Sequence, residues 1–184
     1  MSLTETPICN YGEKIKDFNL ISTDNKTINL KDVTGNKGTL IMFICNHCPY
    51  VKAVIEDIVN DAKRLEILEI KSIAIMSNDV KNYPEDSFEN MKIFSKNHKF
   101  SFPYLFDITQ EVAKRFGAVC TPDFFGYNKD NELQYRGRIR QLRNLQPVRN
   151  EESDLFAAMK LVAETGDGPK SQVSSMGCNI KWIK

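Results

Sequence analysis

The apolar run Leu40-Ile41-Met42-Phe43-Ile44-Cys45 is the longest in the chain, and it ends on a cysteine. It is far short of the roughly 20 residues a membrane helix requires. Read from Thr39 to Ile44, it has the pattern of a central strand covered on both faces. Beyond Pro49 the period changes. Val51, Val54, Ile55, Ile58, Val59, Ala62 and Leu65 recur at helical spacing and mark one apolar stripe on a helix of about five turns. A buried strand therefore runs straight into a helix, and the junction is Cys45-Asn46-His47-Cys48-Pro49.

The rest of the pattern fits around this unit. Phe18 to Ile21 and Thr27 to Leu30 flank the polar turn Ser22-Thr23-Asp24-Asn25-Lys26, an N-terminal β-hairpin. Ile70 to Met76 is again strand-like, and a loop holding Ser77-Asn78-Asp79 and Pro84 leads to a helix with Phe88, Met91 and Phe94. Tyr104 to Phe106 is a short strand. Asp107-Ile108-Thr109-Gln110 has capping-box spacing for a brief helix that Gly117 can end. Phe124 to Tyr127 and Leu133 to Arg138 form a second hairpin across Asn128-Lys129-Asp130-Asn131. Asn150 begins a last helix, with Glu151, Glu152 and Asp154 at its positive end and Leu155, Phe156, Met159 and Val162 on its apolar face. The expectation is an α/β fold in which a central mixed β-sheet carries helices on both faces. A single domain is expected over 1–184, with its core at about 12–165 and a C-terminal tail without period at 166–184.

Composition removes several function classes. Lys plus Arg number 25 against 24 for Asp plus Glu, a net charge of +1, which argues against broad electrostatic capture of nucleic acid. Nothing from Met1 to Asn10 reads as a secretory signal, so a cytoplasmic protein is expected, with no membrane partner. The cysteines number 5, and an odd count in a reducing compartment suits catalytic, metal-binding or buried thiols better than a disulfide framework.

Two cysteines two residues apart at a helix N-terminus can close a small disulfide ring and reopen it. The unpaired N–H groups and positive partial charge of the helix end favour thiolate over thiol. Cys45, placed at or just before the helix start, is the nucleophile candidate. His47 would stabilise its thiolate if protonated, and Cys48, one turn in, would attack Cys45 from behind once it carries a mixed disulfide. Half a zinc site is the alternative, but tetrahedral zinc wants two further ligands. Cys9, Cys120, Cys178, His47 and His98 supply no second Cys-x-x-Cys and no paired histidine spacing, so neither a metal nor a cofactor is expected. A merely buried structural pair is the other bland reading. His98 reads as a solvated helix-end residue.

The second constellation is Phe116-Gly117-Ala118-Val119-Cys120-Thr121-Pro122-Asp123-Phe124. A proline at a strand start removes a ladder donor, and X-Pro bonds are the ones that can be cis. Together with the Cys-x-x-Cys at a strand-helix junction, this resembles the thioredoxin fold, whose cis-proline loop faces the cysteine pair. The resemblance implies that Thr121 and Pro122 present backbone groups to the substrate's extended chain and that Cys120 lies near enough to exchange.

From about Gly12 to Glu164 the chain is similar to the peroxiredoxin-like proteins of the alkyl hydroperoxide reductase/thiol-specific antioxidant superfamily. The similarity is most specific in Phe43-Ile-Cys-Asn-His-Cys-Pro-Tyr-Val-Lys52 and Cys120-Thr-Pro-Asp-Phe-Phe125. Cys48-Pro49 matches the peroxide-attacking cysteine and its proline, while Cys45 stands where that family has a threonine and Pro122 where it has an arginine. Against thioredoxin, Ile44 replaces a tryptophan and Thr39 a buried acid. The resemblance implies a thiol-disulfide oxidoreductase working on a protein or small-thiol disulfide, recycled by a thiol reductant. The first rival is a peroxidase with Cys48 as the peroxidatic thiol, and the second a non-enzymatic redox-sensing or metal-binding module. A homodimer stays open.

Two features stand outside this reading. Arg136, Arg138, Arg140, Arg143 and Arg149 lie in a stretch with no acid between Leu133 and Val148, and they suit either anion recognition or a solvated basic loop. In the tail, Trp182 is positioned to dock the chain end, and Cys178 would then be a distal resolving thiol.

Overall fold

The structure is a computed structural model and describes residues 3–184; Met1 and Ser2 of the N-terminal stretch lie outside it. The elements follow as β1 (Leu3–Glu5), β2 (Asn19–Ser22), β3 (Thr27–Asn29), α1 (Leu30–Val33), β4 (Gly38–Phe43), α2 (Pro49–Ile67) and β5 (Ile70–Met76). A 3-10 turn at Pro84–Asp86 precedes α3 (Phe88–Asn97), β6 (Tyr104–Phe106), α4 (Glu111–Phe116), β7 (Cys120–Thr121), β8 (Asp123–Asn128) and β9 (Leu133–Tyr135). The chain ends with β10 (Leu142–Arg143), β11 (Gln146–Pro147), α5 (Asp154–Thr165) and β12 (Met176–Asn179).

The main sheet runs β3-β2-β6-β5-β4-β8-β9. Its centre is parallel, β4 with β5 and β5 with β6, and its flanks are antiparallel. The mixed sheet with helices on both faces is as expected. Along β4 the pleat sends alternate side chains to opposite layers. Leu40 and Met42 pack with α2, α5 and Met91 of α3, and Ile41 and Phe43 pack with Val112, Ala113 and Phe116 of α4 and Val33 of α1. Every residue of this strand is buried, so its unbroken apolar run follows from having a core on each side. On α2 the stripe Val51, Val54, Ile55, Ile58, Val59, Ala62 and Leu65 is buried, and each large side chain stabilises the fold by about 1.5–3 kcal/mol relative to exposure.

The structure corrects four expectations. The last helix starts at Asp154, with the Ser153 hydroxyl accepting from Phe156 N–H at 3.0 Å, so Asn150, Glu151 and Glu152 precede it. The α4 helix starts at Glu111, after the expected box; buried Asp107 instead accepts from the N–H of Ala113 at 2.9 Å. Four of the five arginines in the stretch are paired with acids, so it is less solvated than expected. Arg136 pairs with Asp123, Arg138 with Asp154, and Arg140 and Arg149 with Asp57 on α2, leaving Arg143 exposed. Finally, the tail is built into the fold. Strand β12 lies between β1 and β7 in a second, three-stranded sheet, with Cys178 opposite Thr121 and Asn179 opposite Cys120.

No described helix is long and apolar enough to cross a membrane.

Candidate redox site

The loop from β4 to α2 carries Cys45 to Cys48. Helix α2 begins at Pro49, which fits the first helical position because its missing N–H would have no partner there. Cys48 is therefore the N-cap, and Cys45, expected at or just before the helix start, lies three residues further out. Both thiols are reduced and buried, at 1% and 0% exposure. The Thr121–Pro122 bond is cis, and this loop closes over the pair. Thr121 Oγ1 lies 3.4 Å from Cys45 Sγ, and the Thr121 carbonyl oxygen lies 3.1 Å from Cys48 Sγ.

The two cysteines differ sharply in acidity. Cys48 is lowered, first because Cys45 donates its S–H to it, and further by Thr121 and by the N–H groups of Val51 and Cys178; burial opposes this. The Thr121 carbonyl, an acceptor, favours the protonated form, but the donors and the positive helix end outweigh it. Cys45 is raised by the same shared proton, by burial and by the buried carboxylate of Asp86. The shared proton thus favours the thiolate on Cys48 and the thiol on Cys45.

His47 sits 4.0 Å from Cys45 Sγ through Nδ1 and is 15% exposed at its side chain. The same nitrogen bonds Asp86 at 2.7 Å, which raises the imidazole pKa against the opposing effect of burial. Tyr83 stacks on its ring at 5.6 Å. Asp86 is wholly buried and was not singled out in the sequence, where it reads as a loop acid near Pro84. It accepts from Asn46 N–H at 2.8 Å, His47 N–H at 3.3 Å and Asn78 Nδ2 at 2.8 Å as well as facing His47. Asn46 is held in turn by the Tyr104 hydroxyl. One acid thus fixes the conformation of the whole Cys45–Cys48 loop. Only the spacing of Asn78 and Asp86 around Pro84 could have hinted at it. Cys45, His47 and Asp86 form a group that could hold a metal, but both Asp86 oxygens are already taken by these donors.

Cys120 adjoins the same loop, and the charges of Cys48 and Cys178 are among those that bear on it. It is buried, its thiol donates to the Pro122 carbonyl oxygen at 3.6 Å, and burial raises its pKa. Cys178 comes to the site with β12. Burial, followed by the effect of Cys48, pushes its thiol up to about 12. Cys9 belongs to the opposite core layer, where burial raises it to about 11. His98 caps the end of α3 against Phe94, at the helix end as read. Trp182 is partly exposed beside Lys114, while the chain end is tied down by Lys181. The Lys181 N–H donates to Asn78 Oδ1 at 2.8 Å, and its carbonyl accepts from Asp79 N–H and Gln110 Nε2.

The AhpC/TSA family model matches residues 11–140. The chain belongs to the AhpC/TSA family. Among solved structures it is similar over its whole length to an uncharacterized conserved protein from Geobacillus kaustophilus, with 39% identity, a TM-score of 0.93 and 97% of that chain covered. It is also similar to a hypothetical protein from Sinorhizobium meliloti 1021, with 34% identity, a TM-score of 0.90 and 98% of each chain covered. A putative protein disulfide isomerase from Bacteroides thetaiotaomicron shares the fold at 17% identity and a TM-score of 0.65, over 90% of this chain and 96% of that one. No curated protein matches the sequence. The fold is thioredoxin-like, and the chain sits in a thioredoxin-fold redox family.

Proposed function

We propose that this AhpC/TSA family member is a thiol-disulfide oxidoreductase whose working couple is Cys45 and Cys48. The observation that carries this reading is a reduced dithiol at the N-cap of α2, its two sulfurs facing Thr121, with unequal acidity. The sequence reading gave the attack to Cys45; the helix start at Pro49 favours Cys48 instead, because the donors that stabilise a thiolate converge there.

In this mechanism the Cys48 thiolate attacks one sulfur of a substrate disulfide, and the other sulfur leaves as a thiolate. Cys45 then gives up its proton and attacks the Cys48 sulfur, expelling the second substrate thiolate and closing the Cys45–Cys48 disulfide. Protons from Cys45 and from solvent end on the two substrate thiols. A thiol reductant reverses the steps. Since β12 already pairs with Thr121, the edge expected to seat an extended substrate chain is filled, which favours a low-molecular-weight disulfide over a polypeptide.

The test is exchange with oxidised glutathione followed by peptide mapping. The wild type should end with a Cys45–Cys48 disulfide, and at pH 6 iodoacetamide should label Cys48 first. Cys48→Ser should lose exchange by orders of magnitude. Exchange at the wild-type rate in Cys48→Ser would refute this assignment.

Peroxidase chemistry is a second reading, favoured by one observation: the acidic cysteine is the one followed by proline, Cys48-Pro49. Against it, Arg136 is held by Asp123 and Arg138 by Asp154. Reaction of the reduced protein with hydrogen peroxide no faster than a free cysteine thiolate would remove this alternative.

A further inference from the structure

Strand β12 is the part of this site that the two-cysteine mechanism leaves unused. It places Cys178 opposite Thr121, the residue whose carbonyl lies 3.1 Å from Cys48 Sγ. Cys48 and Cys178 are buried in the same cluster, and each bears on the acidity of the other. The approach is close enough to demand glycine next door. A Cβ at Gly177 would meet the Thr121 carbonyl oxygen at 2.0 Å. Anchors hold the strand on both sides, with buried Ser175 donating to the Pro122 carbonyl at 2.7 Å and the Lys181 backbone bonded to Asn78, Asp79 and Gln110. A third thiol is thus delivered to the centre by a docked segment.

We propose that Cys178 is a third redox thiol of this site, closing a Cys48–Cys178 disulfide that staples β12 to the start of α2. The proposal rests on Cys48 being the attacking thiolate. Cys48 attacks a low-molecular-weight disulfide and becomes a mixed disulfide with release of one thiolate. Cys178 then attacks the Cys48 sulfur, its proton passing to the second leaving thiolate, so that one substrate disulfide is reduced to two thiols as one protein disulfide forms. After burial, Cys48 is what most holds the Cys178 proton, and that hold vanishes once Cys48 is in a disulfide, while Lys181 remains to favour the Cys178 thiolate. Cys45 and Cys178 therefore compete for the same sulfur from different elements.

Removing the competitor isolates the step. Cys45→Ser is treated with excess oxidised glutathione, and intact mass and non-reduced peptide maps are recorded over time. The expected product carries no glutathionyl group and shows the Cys48 peptide linked to the Cys178 peptide, whereas Cys45→Ser/Cys178→Ser keeps one glutathionyl group on Cys48. Persistence of the glutathionyl adduct on Cys48 in Cys45→Ser overturns the role of Cys178 and leaves the proposed function standing. A variant that stays fully reduced overturns both. If the serine variant fails to fold, Cys45→Ala, which adds no polar group to the buried site, takes its place.

Discussion

Replacing Asp86 by asparagine removes one charge and keeps the shape, and the hydrogen bonds around it determine the outcome. Of the donors on Asp86, Asn46 N–H and His47 N–H share Oδ1, which the amide oxygen of the substituted side chain can replace. Asn78 Nδ2 and His47 Nδ1 face Oδ2, where the new amide nitrogen would stand. Asn78 cannot turn its own amide to compensate, because its Oδ1 already accepts from Lys181 N–H at 2.8 Å. One buried donor is left facing another, at a cost of about 1–3 kcal/mol. A second loss depends on pH. The carboxylate raises the His47 pKa, so its contribution is fully present below the unfolded histidine value near 6.5 and fades as pH rises through the higher folded value. A charge-assisted hydrogen bond of this kind contributes roughly 1.5–3 kcal/mol. Urea unfolding should therefore show Asp86→Asn destabilised at pH 8.5 by the first amount and at pH 5.5 by both. NMR titration of His47 should show a lower pKa in the variant. Equal penalties at the two pH values, or an unmoved His47 titration, would refute the argument.

Three further outcomes follow from the buried charges and the tail. Burial raises Asp61 to about 6, against Ser153 and Arg64, so the folded state holds its proton more tightly than the unfolded chain and stability falls as pH rises from about 4 to 6; Asp61→Asn should gain about 1–3 kcal/mol at pH 7 and little at pH 4 in urea melts. Arg136→Met strips buried Asp123 of its ion pair at 3.0 Å and should cost about 3–5 kcal/mol, with part of that recovered in Arg136→Met/Asp123→Leu; a single-variant loss under about 1 kcal/mol counts against the pair as a buried unit. Gly177→Ala forces β12 off the Thr121 carbonyl, and limited proteolysis should then cut the chain beyond Gly166 faster than in wild type, with Cys178 alkylated sooner; an unchanged cleavage pattern would mean the strand absorbs the methyl group in place.

The linear pattern determined the order of the main elements and the place of the Cys-x-x-Cys between a strand and a helix, since both depend on neighbours in the chain. The all-apolar strand β4, the stripe on α2 and the Cys-x-x-Cys between them are local features, and Gly117 in the left-handed conformation at φ 67° ends α4 as its residue type implies. Tertiary structure decided what the local pattern left open. Asp57 and Asp61 lie on α2 and look like solvent-facing acids, yet both are buried because Arg140, Arg149 and Ser153 arrive from far along the chain. The tail has no period because a four-residue strand between two others is too short to show one, and its strand character comes from the edges of β1 and β7. The helix boundary that places Cys48 rather than Cys45 at the N-cap, the Asp86 carboxylate under the loop and the arrival of Cys178 are likewise long-range facts. They set the acidity of each thiol, because a sulfur's pKa depends on which donors and charges surround it in space, and residue spacing does not encode that.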